Sequence, residues 1–210
     1  DKYPVEQVAT PEGYARNPEL VINFYNERRK QLLDVVPNAG HLGVADLERD
    51  FNVTVVTQNV DNLHERAGST HVIHLHGELT KVCSSRDPYN PHFVKELAPE
   101  EYEVKLGDKA GDGTQLRPFI VWFGESVPEI ETAIRYVEQA DIFVIIGTSL
   151  NVYPATGLLN YVPRAAEVYL IDPKPVDTHV MRPIHVIQKG ASEGVKELKA
   201  LLTVTQPPLP

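Results

Sequence analysis

The run Ile142-Phe143-Val144-Ile145-Ile146 is apolar at every position and closes on Gly147-Thr148-Ser149. Successive side chains of a strand point to opposite faces, so a strand that is apolar throughout needs cover on both. A parallel sheet between two layers of helices meets that need, which makes the chain α/β. The rest of the sequence agrees. Further β-branched or apolar runs lie at Val53-Thr54-Val55-Val56-Thr57, His71-Val72-Ile73-His74-Leu75, Phe119-Ile120-Val121-Trp122-Phe123, Val168-Tyr169-Leu170-Ile171 and His185-Val186-Ile187. Helical signals alternate with them: a start at Pro18-Glu19-Leu20, a segment over 39–50 capped by Asn38, a short one around 62–67, Ile130 to Val137, and 192–202. In open parallel sheets ligands sit beyond the carboxyl ends of strands. Polar clusters occur there, after 57, 75, 123, 146 and 171.

Between Thr80 and about Leu116 the pattern lapses. Pro88, Pro91, Pro99, Gly107, Gly111 and Gly113 punctuate a stretch without long apolar periodicity. This predicts a small, irregular subdomain at 80–116, set into a larger domain formed by 1–79 and 117–205. Its packing would use Tyr89, Phe93, Leu97, Tyr102 and Leu106.

Composition narrows the function. A chain of 210 residues is one domain, or one with a small insert. Its net charge of −9, without a basic run, argues against nucleic acid as a partner. No apolar run approaches the roughly 18 residues of a membrane span. The opening Asp1-Lys2-Tyr3-Pro4 is not a signal peptide. The single cysteine, Cys83, excludes an intramolecular disulfide and a four-cysteine zinc site, and points to a reducing compartment, the cytoplasm.

Three clusters could carry chemistry. Thr57-Gln58-Asn59-Val60-Asp61-Asn62 puts hydrogen-bonding side chains directly after a buried strand. It fits a polar pocket for a sugar or an amide, and equally a capped strand-to-helix turn. His74 and His76 stand two apart on a strand and so share a face. A metal site there lacks cysteine and carboxylate partners. A general base at the strand end, His76 before Gly77, suits proton transfer near neutrality, while His64 and His71 fit ordinary imidazoles. Gly147-Thr148-Ser149 offers close backbone approach and hydroxyls for phosphate or ribose, or simply a strand-ending turn.

Together the pieces resemble one family. Thr57-Gln58-Asn59-Val60-Asp61-Asn62-Leu63-His64, His74-Leu75-His76-Gly77-Glu78-Leu79, Arg117-Pro118-Phe119-Ile120-Val121-Trp122-Phe123-Gly124-Glu125 and Gly147-Thr148-Ser149-Leu150-Asn151-Val152-Tyr153-Pro154-Ala155 resemble sirtuin motifs in sirtuin order. The resemblance covers about residues 7 to 202. It implies an NAD-dependent protein-lysine deacylase with a Rossmann-like parallel sheet, helices on both faces, and a small second domain. His76 would be the general base on a ribose hydroxyl. Gln58 and Asn59 would contact the nicotinamide ribose, with Val60 beside them, and Asp61 the carboxamide. Gly147, Thr148 and Ser149 would hold phosphate and ribose, and Ile171, Asp172 and Ala191 would lie beside the adenosine. Val121, Phe123, Gly124 and Glu125, with Val152 and Tyr153, would pair with an acyl-lysine peptide as an added strand. The implied reaction expels nicotinamide and passes through a cyclic intermediate to free lysine and O-acyl-ADP-ribose.

Tyr25 and Arg28 are three apart on the first long helix. Spacing alone fits a surface arginine. A Tyr-x-x-Arg at this place resembles class III sirtuins, as does Ala9-Thr10-Pro11-Glu12-Gly13. The resemblance implies that this pair binds the distal carboxylate of succinyl- or malonyl-lysine, because a guanidinium grips a carboxylate bidentately and a phenol adds a donor.

The sequence departs from the family twice. Family members carry two cysteine pairs for zinc between the catalytic histidine and the Trp-Phe-Gly-Glu motif. Here that stretch holds Cys83 alone, so zinc is not expected. Nor does a Gly-Ala-Gly-x-Ser segment precede Tyr3; a central strand and part of the NAD site are expected to belong to chain upstream, the alternative being a truncated chain with an impaired site. The expected protein is a monomeric cytoplasmic deacylase. The alternatives are a module that binds acyl-lysine peptides or ADP-ribose without turnover, and a protein ADP-ribosyltransferase.

Overall fold

The structure, a computed structural model, describes residues 2–148, 155–177 and 182–204, with backbone alone at 155, 156 and 204. The chain forms two compact units. The first comprises Asp1–Val36, Val56–Asn62 and Ile73–Glu129; the second comprises Pro37–Val55, Leu63–Val72 and Ile130–Pro210.

In the first unit, helices α1 (Val5–Val8) and α2 (Pro11–Arg16) lead into the long α3 (Pro18–Leu33). Asn17 caps α3 by accepting from the Leu20 N–H, and Pro18 occupies its first turn, where no donor is needed. The helix packs on a three-stranded antiparallel sheet of β3 (Gly77–Ser84), β4 (Lys95–Glu96) and β5 (Leu116–Ile120), in the order β4-β3-β5. The 80–116 segment is therefore a hydrogen-bonded sheet with loops, more regular than its sequence pattern suggests. Its apolar centre is Ile22, Val82 and Val104, with Leu97 and Leu116 against them. Leu106, expected inside, is 51% exposed.

Buried polar side chains complete this sheet. Asn26 exchanges two hydrogen bonds with the Val104 backbone, at 2.8 and 2.9 Å. Arg29 donates to the carbonyls of Leu79 and Tyr102 and to Asn26 Oδ1. Burial brings the Arg29 guanidinium down to about 10. Ser84, fully buried, gathers the Asp112 carboxylate, the Thr114 hydroxyl and the Arg86 and Asp87 N–H groups.

Three strand boundaries differ from expectation. The strand expected at 53–57 covers only Val55–Thr57. The strand read at 119–123 lies at 116–120. Arg117 and Pro118 look like strand breakers, but β5 is an edge strand, where a proline removes no ladder bond, and the Arg117 charge is paired with Glu125. The strand containing His74 ends at that residue: β2 is Val72–His74 and His76 lies in the turn beyond it, so the two imidazoles do not share a strand face.

Strands β1 (Val55–Thr57) and β2 run parallel, with bonds from Val55 N–H to His71 O and from Leu75 N–H to Thr57 O.

The second unit holds a parallel sheet of β6 (Ile142–Ile146), β7 (Glu167–Ile171) and β8 (His185–Ile187), in that order. Tyr169 and Ile171 pack with Ile187 against Leu47 and against Val195, Leu198 and Leu202 of α8 (Ala191–Val204). Val168 and Leu170, on the opposite face of β7, are equally buried, so both faces are covered, as the apolar pattern requires. Helices α4 (Ala39–Asp46), α5 (Leu63–Ala67), α6 (Ile130–Val137) and α7 (Ala155–Leu159) belong to this unit. The helix expected over 39–50 is α4 followed by a 3₁₀ turn at Leu47–Arg49. Among the described residues no helix is long and apolar enough to cross a membrane.

Candidate active site

The turn after β1 is clamped at successive residues. The Thr57 hydroxyl accepts from the Asn59 N–H at 3.0 Å. The Gln58 carbonyl meets His76 Nδ1 at 3.2 Å, the Asn59 carbonyl meets His74 Nδ1 at 3.1 Å, and the Val60 carbonyl accepts from the Leu79 N–H. The side chains of Gln58 and Asp61 stay half-buried, Asn59 is exposed, and Val60 packs beside the Trp122 cluster.

These bonds fix a tautomer. A carbonyl oxygen can only accept, so Nδ1 of His76 carries the proton and Nε2 of the neutral ring is the acceptor. His76 is half-buried, and its own carbonyl accepts from the Val121 N–H at 2.9 Å. Gly77 next to it has φ +86, and a Cβ there would overlap the Phe119 carbonyl oxygen, so only glycine lets the chain turn so closely over β5. His74 is buried, with Nε2 3.9 Å from Glu78.

The segment expected to bind peptide leaves the sheet after Ile120. The Phe123 N–H is already bonded to Ala9 O at 3.0 Å, Gly124 turns at φ +89, and Phe123 is 68% exposed. Glu125 faces inward. It takes two bonds from Arg117, at 3.1 and 3.2 Å, one from the Trp122 N–H at 2.8 Å and one from the Tyr89 hydroxyl at 3.0 Å. Burial would raise the Glu125 carboxyl, but Arg117 and these donors hold it below its ordinary value. The Phe123 N–H and the Glu125 carboxylate are thus engaged within the fold, whereas the Phe123 ring is exposed.

Tyr25 and Arg28 occupy different environments. Tyr25 is buried, its hydroxyl accepting from Trp122 Nε1 at 3.1 Å. Arg28 is exposed, its guanidinium 4.9 Å from the Phe24 ring centroid. Phe24 stands edge-on to Tyr25 at 5.1 Å, so both members of the pair meet one aromatic ring. The neighbouring Arg29 is the structural one. The sequence alone assigns no role to Arg29 and no partner to Arg117, and it expects Tyr89 only as a packing residue, not as the donor to Glu125. A usable signal was present for Arg117, a lone cation in an otherwise apolar strand.

In the second unit, β6 delivers Gly147 and Thr148 and β7 delivers Ile171 and Asp172, all at carboxyl ends of parallel strands. Gly147 has φ +66, and among the described residues nothing lies within 4 Å of where a Cβ would stand. Asp172 accepts from the Lys174 N–H at 2.8 Å, and Ala191 begins α8. Ser149, Val152 and Tyr153 lie outside the described residues.

The Sir2 family model matches residues 1–154. An NAD-dependent protein deacylase of Bacteroides thetaiotaomicron is 83% identical over 202 residues, covering 96% of this chain and 86% of that protein. One of Helicobacter pylori is 46% identical over 194 residues, covering 92% and 82%. The solved structure of a Sir2 homologue–NAD complex superposes with a TM-score of 0.79 at 34% identity, covering 97% of this chain and 79% of that one. This chain belongs to the Sir2 family.

A Sir2 chain uses NAD, and the residues present fit it. Asn62 Oδ1 is buried in the first unit with no partner among the described residues, a polar atom awaiting a donor. In the second, Gly147 beside Thr148, with no other described residue over it, suits a phosphate or ribose. Structural zinc does not fit. The one cysteine of this Sir2 chain is fully buried, directs its thiol at the Pro118 carbonyl at 3.7 Å, and is pushed by burial up to about 12, far from the thiolate that zinc requires.

Proposed function

We propose that the protein is an NAD-dependent protein-lysine deacylase that prefers lysines bearing a short dicarboxylic acyl group, succinyl or malonyl, over acetyl-lysine. The deacylase reading is supported by family membership and by the activity named for its relatives. The observation that carries it is the His76 ring, anchored at Nδ1 by the Gln58 carbonyl, with Nε2 left as a base.

When bound, NAD supplies an electrophilic ribose carbon and nicotinamide as leaving group. Gln58 and Asn59 hold the ribose and Asp61 the carboxamide, on a turn whose backbone is already bonded and so loses little freedom on binding. His76 Nε2 removes the ribose hydroxyl proton, and the Gln58 carbonyl steadies the imidazolium through Nδ1. Gly147, Thr148 and Ser149 hold phosphate and ribose, with Ile171, Asp172 and Ala191 at the adenosine. Val121, Phe123, Gly124, Val152 and Tyr153 line the acyl-lysine peptide. Glu125 serves them by pinning Arg117 and the Trp122 backbone. Arg28 binds the distal acyl carboxylate, and the Tyr25 hydroxyl donates to the same group. With one water consumed, the products are free lysine, nicotinamide and O-acyl-ADP-ribose.

The test is mass spectrometry of one lysine peptide in succinylated and acetylated forms, with and without NAD. Loss of succinyl that requires NAD and outpaces loss of acetyl supports both levels of the reading. Equal rates remove the acyl preference, and loss of neither removes the activity.

A further inference from the structure

The hydroxyl of Tyr25 makes one hydrogen bond among the described residues, and it makes it as an acceptor: Trp122 Nε1–H donates to it at 3.1 Å. A phenol hydroxyl lies near its ring plane, with the hydrogen and an accepting lone pair on opposite sides. A donor held on one side therefore sends the hydrogen to the other. Burial raises the Tyr25 phenol above its ordinary value, so it stays protonated and keeps that hydrogen to donate.

Trp122 is itself held from several directions. Its ring is 2% exposed, with the Arg117 guanidinium 3.7 Å from its centroid and the Tyr14 ring 5.3 Å away. Its backbone N–H donates to Glu125, the carboxylate that also clamps Arg117. The indole N–H thus comes from a rigid, fully engaged cluster and points at one atom.

The geometry points to Trp122 as a positioning residue for acyl selectivity: its indole N–H occupies the acceptor side of the Tyr25 hydroxyl and aims the phenolic hydrogen at the distal carboxylate of the acyl group. This rests on the reading of Tyr25 and Arg28 as the acidic-acyl grip. The indole touches neither acyl group nor NAD in this scheme, and acts through Tyr25.

Trp122 is the one tryptophan of the chain, so growth on benzothienylalanine replaces its N–H by sulfur at this site alone while keeping ring size. With the full chain so labelled, KM for a succinyl-lysine peptide is expected to rise about fivefold, the worth of one hydrogen bond, with KM for the acetyl-lysine peptide changed less than about twofold. In a Tyr25→Phe background the same replacement is expected to leave the succinyl-to-acetyl ratio unchanged, because no hydroxyl remains to be aimed. That non-additivity separates positioning from general loosening of the fold; Trp122→Phe, which also removes the N–H, is expected to shift the ratio in the same direction. An unchanged ratio in the Tyr25 protein, or the same shift in the Tyr25→Phe protein, overturns the inference. Tyr25→Phe and Arg28→Met are measured with tryptophan in place. If neither moves the ratio, the acidic-acyl reading has failed and this inference goes with it. If they do and the sulfur analogue does not, the failure belongs to Trp122 alone.

Discussion

The two three-stranded sheets are held together by opposite means. The parallel sheet β6–β8 is an apolar object: Tyr169, Ile171 and Ile187 meet Val195, Leu198 and Leu202, and none of the buried polar side chains among the described residues belongs to β6–β8 or α8. The antiparallel sheet β3–β5 has a few aliphatic residues at its centre and is finished with buried polar groups, Asn26, Arg29, Ser84 and Arg117. The one cysteine of the chain, Cys83, is no zinc staple for this second sheet. Here Arg29 and Asn26 tie loop backbone to α3, and Ser84 with Asp112 and Thr114 ties the strand end to a loop. A hydrogen-bonded side chain can replace a metal as a staple, but it does so through directional bonds that fail singly.

The sharpest way to break this comparison is Arg29→Met, which keeps the apolar stem and removes the donors. The Leu79 and Tyr102 carbonyls and Asn26 Oδ1 then lose a partner inside the fold, and a loss of about 4 kcal/mol is expected in urea unfolding. Native-state hydrogen exchange should speed up at Lys81–Cys83 and not at Val144–Ile146. Little loss would mean the small sheet also rests on apolar packing.

Leu198→Ala probes the other sheet, with about 3 kcal/mol expected from lost burial and the cavity, and the reverse exchange pattern. Glu125→Gln is smaller, about 1 kcal/mol at pH 7 after allowing for partial exposure. Because the native carboxyl is held below 4.5, its contribution is present above that pH and fades as pH falls through the lower native value. Wild type and variant should therefore converge in melting temperature toward acid. A chelator is expected to change melting by nothing measurable, and a clear drop would show a metal among the staples after all.

The same contrast explains what was legible in the sequence. The strand at 142–146 and the helix at 130–137 were read to the residue, because an all-apolar run and an amphipathic period signal directly. The last strand, 185–187, was found too. The strand at 116–120 was read three residues late, because Arg117 and Pro118 argue against a strand until Glu125, eight positions on, supplies the countercharge. A polar side chain buried with a distant partner looks the same in sequence as one in water. Motif order singles out His76 and the Gln58–Asp61 turn as candidates, whereas the bonded Phe123 N–H, the inward Glu125 and the split between exposed Arg28 and buried Tyr25 needed coordinates.

The measurement that tests the central claim most directly is a one-pot competition. One lysine peptide is supplied in succinyl and acetyl forms with NAD, and the loss of each is followed by mass for the wild-type protein and for Arg28→Met. The account requires the wild type to consume succinyl-lysine faster, only with NAD, and Arg28→Met to lose about tenfold on succinyl, the loss of one charged contact, while keeping acetyl turnover. A wild type that favours acetyl-lysine, or a variant that retains the succinyl preference, would contradict it.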